Sequence, residues 1–342
     1  MRPFELEPRL VYADLLAEQG DPRAEVIALS ARGALTLAER RRVKAIIADH
    51  ARRWLGPLER ITDLAETSFK AGFLDALKLA FNARAADLLS TRDEPRLATV
   101  RSLDTSAIRK PQPLGAFLRQ PTFASLTRLV VNPLAVEALA GPALPFTLEA
   151  LGVADTGARE RAFEAFDGVA IARATPRWEL VSYQLFASVH AHATFRSLRE
   201  QLTRCAAVPE LRLVAPYGVF EGVATWLTLP HEHRRELELR WPGGERFSID
   251  APGLVMTLRR GAHGAWPRLD VVVAGEGLRD VEERLSRLAS VLVLLGPAEL
   301  DEVHLVLPVH LTPTRAHRYA LKSAARRLRG ARVMLGDEAL AP

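Results

Sequence analysis

The sequence is poor in the residues that staple small folds or hold metals. Cys205 is its one cysteine, so an intrachain disulfide and a multi-thiolate zinc site are both excluded. Lysine occurs only at positions 44, 70, 78, 110 and 322, and asparagine only at 82 and 132. The formal charge of +5 rests on cations that are almost all arginine. Together with heavy use of alanine and leucine, this reads as a GC-rich coding bias, and the basic balance by itself is no argument for nucleic acid. Long apolar runs are missing as well. The most apolar stretch, Val291 to Leu295, is too short to span a bilayer. The start, Met1 to Glu7, carries charge where a secretory signal needs an apolar core. The expectation is a cytoplasmic protein with no membrane partner.

Catalytic motifs are equally scarce. Gly275-Glu276-Gly277 lacks the third glycine of a dinucleotide loop, and no Gly-Lys-Ser/Thr, His-Glu-x-x-His or Gly-x-Ser-x-Gly occurs. His190/His192 and His231/His233 are the only histidine pairs, short of the three convergent ligands that a catalytic metal asks for. Cys205, in an apolar helical stretch beside Arg204, reads as a small buried hydrophobe rather than a nucleophile. The expectation is that the chain is not an enzyme and that it holds no cofactor and no metal.

What is present is a repeat. A chain of 342 residues at 48% hydrophobic and 25% charged can bury a large core. In Leu74-Asp75-Ala76-Leu77-Lys78-Leu79-Ala80-Phe81-Asn82 the apolar residues fall at relative positions 1, 4 and 6 and an asparagine at 9, the leucine-rich-repeat signature. The phase returns as Val100/Leu103/Thr105, Leu126/Leu129/Val131, Leu148/Leu151/Val153, Phe166/Val169/Ile171, Val208/Leu211/Leu213, Trp266/Leu269/Val271 and Leu300/Val303/Leu305. The first steps are 26, 26 and 22 residues, within the range of such repeats. Later steps are irregular and the position-9 asparagine is not repeated, so the repeats are degenerate. Helical pieces between the strands, such as Leu134 to Ala140, Thr194 to Cys205 and Gly218 to Leu229, predict a parallel sheet with helices on its outer side.

Ahead of the repeats, residues 8 to 30 read as a helical hairpin. Gly20 suits the left-handed end of a first helix, and Asp21 and Pro22 suit the start of a second. Val11/Leu15 and Tyr12/Leu16 share helix faces, as do Val26 and Leu29. A third helix is predicted from Thr36 to Leu55, opened by a Thr36/Glu39 capping box and closed by Gly56-Pro57. Val43, Ile46, Ile47, His50 and Trp54 fall on one of its faces, while Arg40, Arg41 and Arg42 read as solvated.

The runs Arg9-Leu-Val-Tyr-Ala-Asp-Leu-Leu16 and Gly20-Asp-Pro-Arg-Ala-Glu-Val-Ile27 resemble the short repeat-companion domain found near the start of many myxobacterial and planctomycete proteins, usually ahead of leucine-rich-like repeats. Leu15 departs from that pattern, which has tryptophan there. The resemblance covers roughly the first fifty residues and implies no enzyme activity.

Towards the C-terminus the rhythm breaks. Residues 236 to 241 and 245 to 250 around Pro242-Gly243-Gly244 read as an antiparallel hairpin, followed by strands from Gly253 to Arg259 and from Leu269 to Ala274. An amphipathic helix carrying Leu278, Val281, Leu285, Leu288 and Leu292 comes next. Strand 303 to 308, helix 314 to 328 and strand 331 to 335 close the chain. The fold class expected is therefore α/β: a degenerate leucine-rich-repeat-like solenoid with a parallel sheet, a helical cap at 1–56, repeats at 57–235 and an α/β region at 236–342. That last region reads either as continued solenoid or as a separate subdomain, with a β-meander near 236–273.

With no catalytic constellation, surface remains. Side chains alternate along a strand, so positions 3 and 5 of each repeat face away from the core. These include Lys78, Arg128, Glu210, Arg212, Arg268, Asp270, Glu302 and His304. Small neutral residues hold the middle of that face and mixed charge its later part, a character suited to a protein partner. A phosphate backbone would ask for a continuous basic stripe. The alternative is nucleic-acid or polyanion binding through the last helix, where Arg315, Arg318, Lys322, Arg326, Arg327 and Arg329 accompany an apolar set of Ala316, Tyr319, Ala320, Ala324 and Leu328.

Overall fold

The computed structural model describes residues 6–33, 35–155, 162–182, 201–215, 239–251, 254–261, 268–273, 300–307, 313–326, 328, 332–336 and 338–340. The architecture is α/β. Thirteen strands among these residues form mixed, mostly parallel sheet in which a strand's neighbours in the sheet are its neighbours in the chain. Compactness divides the chain into two units, residues 1–152 with 168–175 and residues 153–167 with 176–342. Among the described residues no helix is long and apolar enough to cross a membrane.

The first unit begins with three helices, α1 (Leu6–Glu18), α2 (Arg23–Ala31) and α3 (Leu37–Leu55). Gly20 sits at φ +67°, a conformation costly for any side chain. It lets the Gly20 and Asp21 amides donate back to the carbonyls of Ala17 and Leu16 and so ends α1. Asp21 Oδ1 then accepts the Arg23 amide at 2.9 Å. At the start of α3 both halves of the capping box form. Thr36 Oγ1 accepts the Glu39 amide at 3.2 Å, and Glu39 Oε2 accepts the Thr36 amide at 2.8 Å. The amide bond from Thr36 is the main reason the Glu39 carboxyl lies below its ordinary range.

The apolar faces of these helices turn onto the first strands, β1 (Ser68–Lys70) and β2 (Phe73–Lys78). Val26, Ile46 and Trp54 pack with Val43, Ile47 and Phe69, and Ala13, Leu16 and Ile27 pack with Tyr12, Ala24 and Phe73. Tyr12 and Leu16 therefore form the inward face of α1, whereas Val11 and Leu15 are 67% and 49% exposed. The short strand β1 has no counterpart in the sequence reading. It pairs antiparallel with β2 through a two-residue turn in which Ala71 and Gly72 both take positive φ. A side chain on Gly72 would meet Ile27 Cγ1 at 2.9 Å, so glycine is what lets α2 sit this close to the turn.

From β2 the chain repeats through α4 (Ala85–Ser90), β3 (Ser102–Thr105), α5 (Pro111–Leu118) and β4 (Arg128–Val131). The strands are parallel and in register at a constant step, Leu77 opposite Leu103 and Leu103 opposite Leu129. Leu74, Leu77, Leu79, Val100, Leu103, Thr105, Leu126, Leu129 and Val131 are each at most 4% exposed, as the 1-4-6 phase requires. The hydroxyl of Thr105 is buried without loss because it donates to the Val130 carbonyl at 2.8 Å. The helical piece expected from Leu134 to Ala140 is a 3-10 helix, Pro133–Leu139, whose start is tied down by Asn132. One expectation for this unit changes. Val130 and Ala150 are fully buried and Gly152 is buried too, so the middle of the sheet is covered on both faces and offers no open neutral surface.

Phe166, Val169 and Ile171 do not lie on a strand. Phe166 ends a 3-10 turn, Gly168 breaks the run at φ +79°, and the alanine-rich segment that follows is helix α6 (Ala170–Ala174). The phase belongs instead to Thr175, Trp178 and Leu180, all buried, with the last two on strand β6 (Arg177–Ser182). Strand β5 (Ala150–Asp155) carries Leu151 and Val153 as expected.

In the second unit Trp178 packs against Phe163 and Phe166, with centroids 5.6 and 5.1 Å away. Strands β6, β7 (Glu210–Val214) and β8 (Arg246–Ala251) run parallel, and β8, β9 (Leu254–Arg259) and β10 (Arg268–Val273) form an antiparallel meander. Parallel pairing resumes from β10 to β11 (Glu302–Val306) and then, past helix α7 (Arg315–Ala325), to β12 (Arg332–Leu335), which β13 (Glu338–Ala339) closes antiparallel.

The hairpin expected around Gly243-Gly244 is not formed among the described residues. Leu239 and Arg240 are helical, and Trp241 turns into the core with no exposure, donating from Nε1 to the Val208 carbonyl at 2.8 Å. A Cβ on Gly244 would stand 2.3 Å from the indole, so this glycine leaves room for the ring, while Gly243 lets the chain pass close to the Ala206 carbonyl. The helices expected near 218–229 and 278–292, and residues 236–238, lie outside the described residues.

Candidate functional site: charged rows on the second unit's sheet

Strand register decides which charges meet. In the second unit Arg177, Glu210, Arg246, Arg259, Arg268, Glu302 and Arg332 stand opposite one another from β6 to β12, each paired in register with the next. Two residues further along the strands lies a second row of Glu179, Arg212, Ser248, Thr257, Asp270, His304 and Met334. The core residues Leu211, Phe247, Leu269, Val303 and Val333 fall between these rows, so both rows occupy the opposite face.

The rows hold themselves together. Glu210 Oε1 accepts from Arg246 at 2.5 Å, and its other oxygen lies 3.7 Å from Arg177. Asp270 accepts from Arg268 at 2.7 Å and from Arg259. Arg212 pairs with Asp250, and Glu302 sits 3.1 Å from His304 and 3.4 Å from Arg332. Burial works to raise the Asp270 carboxyl, but hydrogen bonds from Arg259 and Arg268 together outweigh it and hold the group below its ordinary range.

Exposure sorts the two signs. Arg246, Arg259, Arg268 and Arg332 are 45, 45, 41 and 68% exposed, whereas Glu210, Asp270 and Glu302 are 19, 11 and 33%. The carboxylates lie low against the strands and the guanidiniums stand above them. The outward character of this face is therefore cationic, with four carboxylates, Glu179, Glu210, Asp270 and Glu302, set among six arginines. At β6 it closes, since Glu179 is fully buried.

Of the eight residues predicted for a partner surface, Glu210, Arg212, Arg268, Asp270, Glu302 and His304 come together in these rows. Lys78 and Arg128 belong to the first unit, Lys78 opposite Asp104 and Arg128 opposite Ser102, whose hydroxyl accepts from Arg128 at 3.1 Å. Sequence reading missed Arg177, Arg246, Arg259 and Arg332. The first would have followed from placing the fifth phase at Thr175/Trp178/Leu180, and the second from reading Gly244, Phe247 and Ile249 as a repeat. Arg259 was out of reach because β9 runs antiparallel.

The last helix differs in its orientation. Its buried residues are Leu321 and Ala325, with Leu328 buried just beyond the helix end, while Tyr319 is 75% exposed and Ala316 and Ala320 are exposed. The apolar set expected from Ala316, Tyr319 and Ala320 is corrected accordingly: Leu321 and Ala325, four positions apart, fix the inward face and turn the tyrosine out. Arg318 is engaged by Glu338 at 2.6 Å. Arg315, Tyr319, Lys322 and Arg326 then share the outward face at helical spacing, all exposed. Arg327 and Arg329 lie outside the described residues.

Cys205 is fully buried, its Sγ lies 3.6 Å from the Gln201 carbonyl, and burial pushes the thiol up, so it stays protonated and inert. Among the described residues no group of three His, Cys, Asp or Glu side chains is placed to hold a metal ion. The histidines at 190, 192, 231 and 233 lie outside the described residues. No protein-family model matches the chain, and no curated protein matches it either.

Proposed function

We propose that the chain is a non-enzymatic cytoplasmic scaffold: a degenerate leucine-rich-like solenoid, begun by a repeat-companion-type helical cap, that binds an acidic surface of another protein on the charged rows of its second unit. The observation that carries this reading is the vertical sorting of charge, with four arginines standing above the carboxylates that orient them. Guanidiniums held in this way are pre-organised forks for carboxylates and lose little side-chain freedom on binding. Rows on regular strands also supply a broad platform, the geometry that solenoids use for partners. The interspersed carboxylates disfavour a continuous phosphate backbone, which would bring its charges against them.

The test is capture of partners from the native host by the full chain, beside a variant carrying Arg246→Glu, Arg259→Glu and Arg332→Glu. The reading expects an acidic protein retained by the first and lost by the second, with the variant keeping the native circular dichroism spectrum and a cooperative melt. An identical set of proteins on both baits would refute it. A second reading has one observation in its favour, the exposed Tyr319 set among Arg315, Lys322 and Arg326, a stacking group within a basic stripe. It predicts single-strand binding that weakens steeply with salt and is lost in Tyr319→Ala with Lys322→Glu.

A further inference from the structure

Beneath the three N-terminal helices the first unit holds a cavity of about 600 Å³. Tyr12 of α1, Trp54 of α3, Phe69 of β1 and Phe73 of β2 supply its aromatic walls, and the 3-10 turns at 95–99 and 121–125 close the other side. Arginines lie on the rings. The Arg23 guanidinium stands 5.0 Å from the Trp54 ring centre and that of Arg9 5.0 Å from Phe73.

The cavity continues past Arg9, Phe73, Leu74 and Thr99 into a smaller chamber of about 200 Å³. Its charged lining is Arg9, Lys70, Arg101 and Asp75, three cations to one carboxylate, with Arg101 held by Asp75 at 2.8 Å. Burial and the neighbouring Arg101 both act against the charge of Arg9, and Asp75 only partly offsets them. An anion placed beside Arg9 and Lys70 would relieve that repulsion.

Two features distinguish this space from a packing gap. It is a groove half open to solvent, and its volume is that of a small-molecule site. And Trp54 Nε1, Arg23 Nε and Thr122 Oγ1, all on residues that line it, are buried with no hydrogen-bond partner. Trp54 is only 2% exposed. A buried indole N–H normally finds an acceptor, so its lack of one here points to a group that the protein itself does not supply.

We infer that this double chamber binds a small amphipathic anion, with an apolar body between the aromatic walls and a carboxylate or phosphate head beside Arg9 and Lys70. The sheet rows of the second unit play no part in it, so either reading can fail without the other.

The test uses the full chain with anilinonaphthalene sulfonate as fluorescent reporter, displaced by decanoate, decyl phosphate or the uncharged decanol. One reporter site per chain is expected, with both anions displacing it at least about tenfold more tightly than the alcohol. The ratio of the two anions identifies the preferred head group. Lys70→Glu, at an exposed position, should weaken the anions by about tenfold or more and leave decanol unchanged. Ala98→Trp should fill the larger chamber and abolish the site at near-native melting temperature. Equal displacement by decanol and decanoate would overturn the inference, as would reporter binding that survives Ala98→Trp or no binding at all. If Ala98→Trp does not fold, the decanol comparison and Lys70→Glu still decide.

Discussion

The two units use one strand pattern to different ends. In the first, the step between strands is constant from β2 to β4, pairing there is parallel, and the sheet residues that alternate with the core include Val130 and Ala150, both buried. In the second, an antiparallel meander interrupts the parallel order, and the alternating residues are the charged rows from Arg177 to Arg332. The apolar 1-4-6 phase is common to both, so it specifies the core and says nothing about the other face. What the two faces teach is that register decides which side chains meet on them. It aligned seven scattered charges in the second unit, whereas in the first it set Ala76, Ser102 and Arg128 in one row and Lys78, Asp104 and Val130 in the other, from strands with the same apolar spacing.

The comparison is tested most severely by removing the group that seats the meander. Trp241→Ala should cost about 3–5 kcal/mol in urea unfolding, from lost ring volume and the orphaned Val208 carbonyl. Trp241→Phe should cost less. A cost for the alanine variant below about 1 kcal/mol would mean that β8 needs no such seat. The counterpart in the regular unit is Leu103→Ala at a fully buried position, expected to cost about 2–5 kcal/mol because close-packed neighbours on both adjoining strands cannot collapse into the space. A smaller loss there than at an exposed control such as Leu134 would break the equivalence of the two cores.

Thr36→Ala removes one half of the capping box of α3 and should cost about 1 kcal/mol, read from urea unfolding. Glutamine at position 39 should preserve most of the box.

The smallest effect concerns the rows. Asp270 has a carboxyl held below its ordinary value in the native state. The native state therefore binds this proton less readily than the unfolded chain. Its contribution is fully present above the unfolded value of about 4 and is lost as the pH falls through the lowered native value. Asp270→Asn should lower stability at neutral pH and flatten the acid limb of the stability curve. An acid limb unchanged by the substitution would show that the carboxylate adds nothing to the folded rows.

Local signals in the sequence determined what local chemistry governs. The end of α1 at Gly20, the capping box at Thr36 and the buried 1-4-6 residues of β2, β3 and β4 all follow from conformational preference or from side-chain alternation, which act within a few residues. The failures share a cause. Phe166/Val169/Ile171 matches the phase as well as Thr175/Trp178/Leu180 does, and only the break at Gly168 and the aromatic contacts of Trp178 with Phe163 and Phe166 decide between them. Gly243-Gly244 reads as a hairpin turn until the Ala206 carbonyl closes on the first glycine and the Trp241 ring on the second. Tyr319 reads as core until Leu321 and Ala325 take the inward side of the helix.

The candidate sites were legible only as residue types. Arg268, Asp270, Glu302 and His304 could be nominated from alternation alone, but their alignment with Arg246 and Arg259 depends on how many residues each connection spends and on one strand running backwards. The cavity beneath the helices was less legible still, since Arg9, Trp54, Phe73 and Thr122 come from four separate elements. The sequence determined by itself which residues leave water, because transfer from water is a property of each side chain and its local spacing. Only the tertiary structure decided which polar groups meet, because hydrogen bonds and ion pairs are short-ranged and depend on where distant strands and helices come to rest.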